Sequence, residues 1–502
     1  MKREQGRKIL WLVVLFLMAL PVGNVWGLTD EEIFRDFRFN FIIPGARSTG
    51  LGGAFIAAAD DTTAAEANPA ALHYVTRDEV FAEYRWVNPE TQVFGPTQDF
   101  GSNDVGSTQP FLDYQSVNDR ADQSFVSFLS YAHPFRWRRA TLAFSRSVLL
   151  DVKSSLTDQT SGRGTFLDVS LTNFPVVVDP GPPPVTERYA VSNDVEGTLD
   201  AEIVNYNVAF AFSMVRNFSL GITATYSELS MLSTVDSVTQ DPLGVLTTVH
   251  PRVDVGGVAS EIELLTNIDD SDTAFGYTVG LHWHPDTAFA SGYSPLRMGL
   301  VYRQGARFEV TQTQAEVNPA TGNPEGAIQF TNTLKVPDRW GFGVSYEIGR
   351  HWLLALDIER IQYSDLLEDY VAGVNFFTST LIQDLLQVDP DSLVFDVDDA
   401  TVPRFGVEYN FTSRRPWTHS VRAGYYNDPD SRIRLVGVET GDPQNDELLL
   451  DLFRGGEDVD HFTVGFTLGM PGNVQLQAAG DFSDVENQGV VSIIWRFGGV
   501  GR

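Results

Sequence analysis

From about residue 79 the chain returns again and again to one pattern, in which apolar side chains alternate with small or polar ones. Tyr206, Val208, Phe210, Phe212 and Met214 stand against Asn207, Ala209, Ala211 and Ser213. Phe275, Tyr277, Val279, Leu281 and Trp283 stand against Ala274, Gly276, Thr278, Gly280 and His282, and the same holds for Trp340 to Ile348 and Phe462 to Met470. Side chains of a strand point alternately to its two faces, so a period of two means a strand with one apolar face. Fourteen such segments can be counted, at 79–87, 124–134, 139–151, 199–215, 217–231, 273–284, 295–305, 338–348, 351–363, 403–411, 418–427, 460–470, 473–482 and 489–497. Ile328 and Phe330 suggest a fifteenth, but Pro337 and the even parity argue against it.

The connections between these segments alternate in length. They are short at Arg136–Arg138, Val215–Arg216, Gly349–Arg350, Thr412–Pro416 and Pro471–Gly472, and mostly long between those points. A soluble sandwich has no reason to keep every second connection tight, whereas an outer-membrane barrel has short periplasmic turns and long outer loops. The aromatic content fits, with 34 Phe, 16 Tyr and 9 Trp, and Trp86, Trp283, Trp340, Trp352 and Trp495 fall near strand ends, where interfacial girdles belong. Charge also separates by side. The short turns carry Arg136, Arg138, Arg139, Arg216, Arg350, Arg414 and Arg415, while Ser364 to Val402 holds nine acids and no Lys or Arg. The expected fold class is therefore all-β: a fourteen-stranded antiparallel transmembrane β-barrel with long outer loops.

The N-terminus begins with Lys2, Arg3, Arg7 and Lys8, runs through the apolar Ile9 to Leu20 and reaches Val25-Trp26-Gly27, which reads as a secretory signal peptide over residues 1–27. After residue 28 no apolar run approaches the roughly 18 residues of a membrane helix. The chain has no cysteine, hence no disulfide framework and no lipoprotein anchor. A formal net charge of −31 makes nucleic acid an unsuitable partner. The expected organisation is a leader (1–27), an N-terminal segment (28–78), a barrel (79–497) and a short tail (498–502).

The segment Pro44 to Leu72, PGARSTGLGGAFIAAADDTTAAEANPAAL, breaks the strand pattern. Its glycines and alanines bury little apolar area, so it cannot build a core of its own and must be held inside something larger. The ordered pieces Gly45-Ala46-Arg47, Gly50 to Ala54, Ala59-Asp60-Asp61 and Asn68-Pro69-Ala70 resemble the N-terminal signature of the FadL/TodX family of outer-membrane transporters of hydrophobic molecules. A looser likeness continues through Arg339 to Gly343, Trp352 to Asp357, Pro403 to Tyr409 and Val421 to Tyr426. The resemblance implies that this segment is a hatch inside the barrel. Gly45, Arg47, Gly50, Gly52, Gly53, Asp60, Asp61, Asn68 and Pro69 would be its marked residues, the three central glycines permitting movement and Asn68-Pro69 pinning its end. Members of the family commonly finish on an aromatic, but here Phe497 is followed by Gly498 to Arg502.

Apolar residues also occur where a solvated outer loop should have none. Leu366, Leu367, Tyr370 and Val374 recur at near-helical spacing, followed by Phe376, Phe377, Leu381, Ile382 and Leu385. They either pack together or await a ligand, and the resemblance implies an outer groove that captures substrate. His282 and His284 share a strand face and could supply two metal ligands, but no third is apparent nearby. The acids Asp389, Asp391, Asp396, Asp398 and Asp399 lack the glycine and terminal glutamate of an EF-hand loop. No metal site and no cofactor are expected. Neither a Gly-x-Ser-x-Gly nor a Gly-Lys-Ser/Thr motif is present, so no enzyme is expected either. The resulting reading is a passive outer-membrane channel for hydrophobic small molecules, long-chain fatty acids or aromatic hydrocarbons. Its partners would be that ligand, membrane lipid and lipopolysaccharide, and a monomer is expected. The alternative is a barrel that binds or shuttles secreted surface proteins.

Overall fold

The computed structural model describes residues 39–89, 92–94, 116–135, 139–159, 165–167, 189–215, 217–241, 260–285, 295–318, 321–367, 394–411, 419–437, 450 and 455–498. The expected leader lies outside them. Fourteen strands form the wall: β1 (Asp78–Pro89), β2 (Gln123–Phe135), β3 (Ala140–Gln159), β4 (Tyr189–Val215), β5 (Phe218–Asp241), β6 (Ser260–Trp283), β7 (Leu296–Arg303), β8 (Arg339–Ile348), β9 (Trp352–Ile361), β10 (Ala400–Phe411), β11 (His419–Asp428), β12 (Val459–Met470), β13 (Val474–Phe482) and β14 (Glu486–Phe497). Each pairs antiparallel with the next, and β1 closes on β14 with Asp78 opposite Phe497. Closure leaves no sheet edge, the condition for crossing a bilayer with strands.

Alternation sets which side chains face out. On β4, Val208, Phe210, Phe212 and Met214 are exposed while Ala209 and Ala211 are fully buried, and Trp86, Trp283, Trp340, Trp352 and Trp495 all stand on the outer surface. No helix among the described residues is long and apolar enough to cross a membrane. The end of the barrel with short turns is called the inner end below, the other the outer end.

Four neighbouring strands are longer than the sequence pattern indicated. β3, β4, β5 and β6 run 20, 27, 24 and 24 residues. Their pairing continues past the apolar belt: beyond Phe275 the outward positions of β6 are Thr273, Ser271 and Asp269, all exposed. Apolar alternation reports contact with lipid, not the length of the ladder, so it stops at the membrane rim while the strands go on.

The segment around Ile328 and Phe330 is a strand after all, although it adds no stave to the wall. Asn323–Lys335 pairs with Arg307–Asn318 in a hairpin, and the hairpin carries β7 and β8 outward past kinks at 304–306 and 336–338. Register is preserved across the kinks, with Arg303 opposite Arg339 below and Arg307 opposite Lys335 above. Pro337, which lacks an N–H, sits in the kink where no ladder bond is needed. Asp338 clamps the bend by accepting from Gly305 N (2.9 Å), Lys335 Nζ (2.6 Å) and Tyr302 Oη (2.5 Å).

At the same level the wall itself is interrupted. β6 pairs with β7 from Trp283 to Thr278 and with Arg307–Asn318 from Ile268 to Glu263, and the ladder lapses between. Side chains cover part of that break, Asp272 accepting from Glu309 N (2.8 Å) and Asp270 from Thr311 N (2.7 Å).

Candidate functional site

Residues 39–75 lie inside the barrel. Two short helical turns, α1 (Ala46–Thr49) and α2 (Ala64–Ala67), and a 3-10 turn (Pro69–Tyr74) make up most of the segment, and Ala46, Leu51, Ala54, Ala57, Ala59, Ala70 and Leu72 have no exposed surface. A chain folded only into turns leaves many backbone N–H groups without an internal acceptor. Here the wall supplies the acceptors. Ala46 N donates to Ser492 Oγ (2.9 Å), Gly52 N to Thr463 Oγ1 (3.0 Å), Thr62 N to Glu79 Oε1 (2.7 Å) and Gly45 N to Glu83. Phe55 N and Ile56 N both donate to one carboxylate oxygen of Asp357, at 2.6 and 2.8 Å.

Charge holds the two ends. Arg47 donates to Glu408 on β10 (2.9 Å) and to Asp60 (2.6 Å), and Glu408 also takes Arg422 of β11 at 2.5 Å. Burial pulls the Arg47 guanidinium down, but Asp60 and Glu408 outweigh it and hold Arg47 charged, above its ordinary value. Asp61 is pushed up by burial and by the neighbouring Asp60. At the other end Asn68 accepts from Ala70 N (3.1 Å), capping the 3-10 turn that starts at Pro69, and donates to the Leu281 carbonyl on β6 (2.9 Å). Glu66 accepts from Ser147 (2.8 Å) and Asn207 (2.6 Å), and its burial pushes it up. Asn68 and Pro69 also lie against Gly280 and Gly221, where a wall side chain would collide with them.

Two different environments meet at this segment. On the inner side a polar cavity of about 500 Å³ is lined by Arg47, Asp60, Tyr74, Glu408, Arg422 and Arg496 among others. On the outer side lies a continuous apolar cluster containing Phe39, Phe41, Leu229, Ile268, Phe308 and Leu366. Its open part is a cavity of about 110 Å³ between Phe39–Ile42, Leu150, Tyr363 and Arg404.

Arg404 lines this cavity together with Asp151, Asp428 and Glu486, and it belongs to a buried charged cluster. Arg303, Arg339 and Arg404 surround the single carboxylate of Glu359 at 3.1, 3.3 and 3.7 Å. Arg303 also donates to the Glu66 carbonyl (3.0 Å), Arg339 lies over the Phe41 ring (4.2 Å) and Arg404 over Tyr426 (4.8 Å). Arg404 Nη1 is buried and has no hydrogen-bond partner among the described residues. A buried donor left unpaired costs about 1–3 kcal/mol, more when charged, and this nitrogen lies against Gly53 of the lumen segment, where an added Cβ would come within 2.8 Å of it.

Of the loop residues expected to form a groove, only Leu366 and Leu367 are described. Leu366 is buried in the apolar cluster and Leu367 packs against it; Tyr370, Val374, Phe376, Phe377, Leu381, Ile382 and Leu385 lie outside the described residues. The acids near residue 398 are met by arginines from other parts of the chain, Arg434 reaching Asp398 (2.6 Å) and Asp396 (3.1 Å), and Arg360 reaching Asp399 (3.1 Å). Spacing alone also failed to bring His73 to His282 and His284, which it joins on the lumen side. The inward charges of β9 and β10 went unremarked as well, although a signal was present: Asp357, Glu359, Arg404 and Glu408 all occupy inward positions of strands whose outward positions are apolar.

Residues 186–432 match the sequence model of a family described as outer membrane protein transport protein (OMPP1/FadL/TodX). Over that stretch the chain matches the FadL/TodX family of outer-membrane proteins. The matched region begins well after the N-terminal signature and covers the strands in which the resemblance had been looser. A FadL homologue of Pseudomonas aeruginosa has the same fold, with a TM-score of 0.55 at 14% identity over 91% of this chain and 100% of that one. The toluene transporter TodX of P. putida matches with a TM-score of 0.54 at 14% identity over 92% of this chain and 100% of that one. No curated protein sequence matches. The barrel thus shares its fold with these transporters, and it differs from an open porin in holding 37 residues of its own N-terminal segment, 39 to 75, within the lumen.

Proposed function

We propose that the barrel passes hydrophobic small molecules across the outer membrane, and that residues 39–75 act as the hatch. The observation that carries this reading is the apolar cluster on the outer side of the segment, with a chamber of about 110 Å³ beside it, separated by the segment from the polar cavity on the inner side. Such a chamber offers an apolar solute contacts that a water-filled pore does not. Phe39 and Phe41, stacked at 5.4 Å, occupy part of it, so a ligand takes their place when it binds. The interrupted ladder beside Ile268, Phe308 and Val310 adjoins the apolar cluster, and supports a sideways exit into the membrane.

Arg404, which shares the lining of the cavity with Asp151, Asp428 and Glu486, favours within that class a molecule with an apolar body and an anionic head, such as a long-chain carboxylic acid, over a bare hydrocarbon. Arg404→Gln keeps a polar group but removes the charge. It is expected to lower binding of a labelled long-chain fatty acid by about 10-fold, in line with ~1.5–3 kcal/mol for a charged hydrogen bond, and to leave a labelled monoaromatic hydrocarbon unchanged. Uptake of both labels into cells is compared with cells expressing the barrel without its hatch. If neither label enters although the barrel is in the outer membrane, transport is ruled out and binding of a secreted protein takes its place. If only the hydrocarbon enters, the headgroup assignment is wrong.

A further inference from the structure

Three imidazoles from two parts of the chain meet near the inner end of the lumen. His73 belongs to the 3-10 turn of the lumen segment, His282 to β6, and His284 follows β6 directly. The His73 ring centre lies 5.4 Å from that of His282 and 5.6 Å from that of His284, and the latter two are 6.5 Å apart. Two imidazoles on one tetrahedral zinc ion, at Zn–N distances of ~2.0–2.1 Å, place their ring centres roughly 5 Å apart.

The hydrogen bonds fix which nitrogens are available. His73 Nδ1 lies 2.8 Å from the Ala70 carbonyl and His282 Nε2 lies 3.3 Å from the Ala57 carbonyl. A carbonyl only accepts, so these nitrogens carry the protons and the opposite ones, His73 Nε2 and His282 Nδ1, hold lone pairs. Both of those atoms are buried, and neither has a hydrogen-bond partner among the described residues. His282 as a whole has no exposed surface. A ring N–H spent on a backbone carbonyl, with the other nitrogen left bare, is the arrangement that orients metal-ligating histidines.

The surroundings are compatible with a cation. Arg297, over the Tyr74 ring at 4.6 Å, is the positive group at hand, and its charge is offset by Glu347 at 2.6 Å and Asp60 at 3.8 Å. The polar inner cavity reaches Tyr74 and Arg297 and gives an ion its way in. No three His, Asp or Glu side chains among the described residues already enclose a common point, so His284 must turn toward the other two to complete the set.

We propose that His73 and His282, with His284 as the third imidazole, bind a borderline divalent transition metal such as Zn²⁺. The ion would tie the C-terminal end of the lumen segment to the wall. This is independent of what the barrel carries.

The test uses the full-length, untagged protein folded in detergent. Titration with Zn²⁺ by calorimetry, and with Co²⁺ followed by its visible spectrum, is expected to give one ion per chain. His73→Gln and His282→Asn should each weaken binding at least 10-fold and the double substitution should abolish it, while heat-modifiable migration shows that the variants remain barrels. Absence of stoichiometric Zn²⁺ binding to the parent protein overturns the proposal, and so does unchanged binding in the double variant.

Discussion

Glu408→Ala is expected to release the glycine-rich end of the lumen segment and to destabilise the protein by about 3–5 kcal/mol, the usual consequence of stranding buried charge. Glu408 is the shared anion between Arg47 of the segment and Arg422 of the wall, and the side chains of Glu408 and Arg422 are only 4% and 2% exposed. Without it, two largely buried guanidinium groups are left facing each other. Asp60 still pairs with Arg47, but among the described residues Arg422 keeps only the hydroxyls of Ser420 (2.8 Å) and Thr467 (2.7 Å). Limited proteolysis of the folded barrel should then cut between residues 45 and 60, which are protected in the parent. Glu408→Gln, similar in shape but uncharged, should show most of the same loss. Adding Arg422→Met to Glu408→Ala should recover part of it, because one stranded charge is gone. A Glu408→Ala protein with parental protease resistance and parental unfolding midpoint would mean that the triad does not hold the segment.

Gly52→Val should open the barrel to ions. Gly52 has a φ of +65°, a conformation that costs L-residues about 1–2 kcal/mol. More decisively, a Cβ there would sit 2.8 Å from Tyr425 N and 2.9 Å from Phe405 O. Those two residues are paired across β10 and β11, so they cannot retreat without breaking the wall. The segment is the part that yields. The expected outcome is a barrel that still assembles and migrates as folded, with planar-bilayer conductance several-fold above that of the parent. Gly322 has the same φ of +65° but nothing within 4 Å of an added Cβ, so Gly322→Val carries the strain without the collision and should conduct like the parent. Equal conductance in Gly52→Val and the parent would show that the segment does not block the lumen.

The glycines thus have a role that composition does not reveal. A run of Gly and Ala in a sequence reads as freedom to move. In the folded chain Gly50 lies against Gly465 and Gly52 against the strand pair beside Gly424, each so close that a side chain would not fit. These contacts cross more than 350 positions of sequence, and nothing within ten residues of Gly52 announces them. The same distance in sequence explains why the acceptors for the segment's backbone were not foreseen. Asp357, Glu79 and Thr463 look like ordinary polar residues on the inward side of a strand until the segment they serve is folded against them. His73 is a further case, since its approach to His282 depends on where the 3-10 turn docks and not on any spacing.

What the sequence determined by itself was the wall. Contact with lipid on one side forces a period of two on every strand, a rule that acts on neighbouring residues and is therefore written locally. The number of strands, their direction and the alternation of short and long connections follow from it, and so do the positions of the tryptophans. The tall extensions of β3 to β6 and the hairpin above β7 and β8 escaped because no lipid imposes a pattern there. The tertiary structure alone decided the interior. Which carboxylate holds Arg47, which arginines gather on Glu359 and where the wall ladder lapses depend on the register of strands far apart in sequence. Closing the sheet on itself fixes that register, and with it every contact inside.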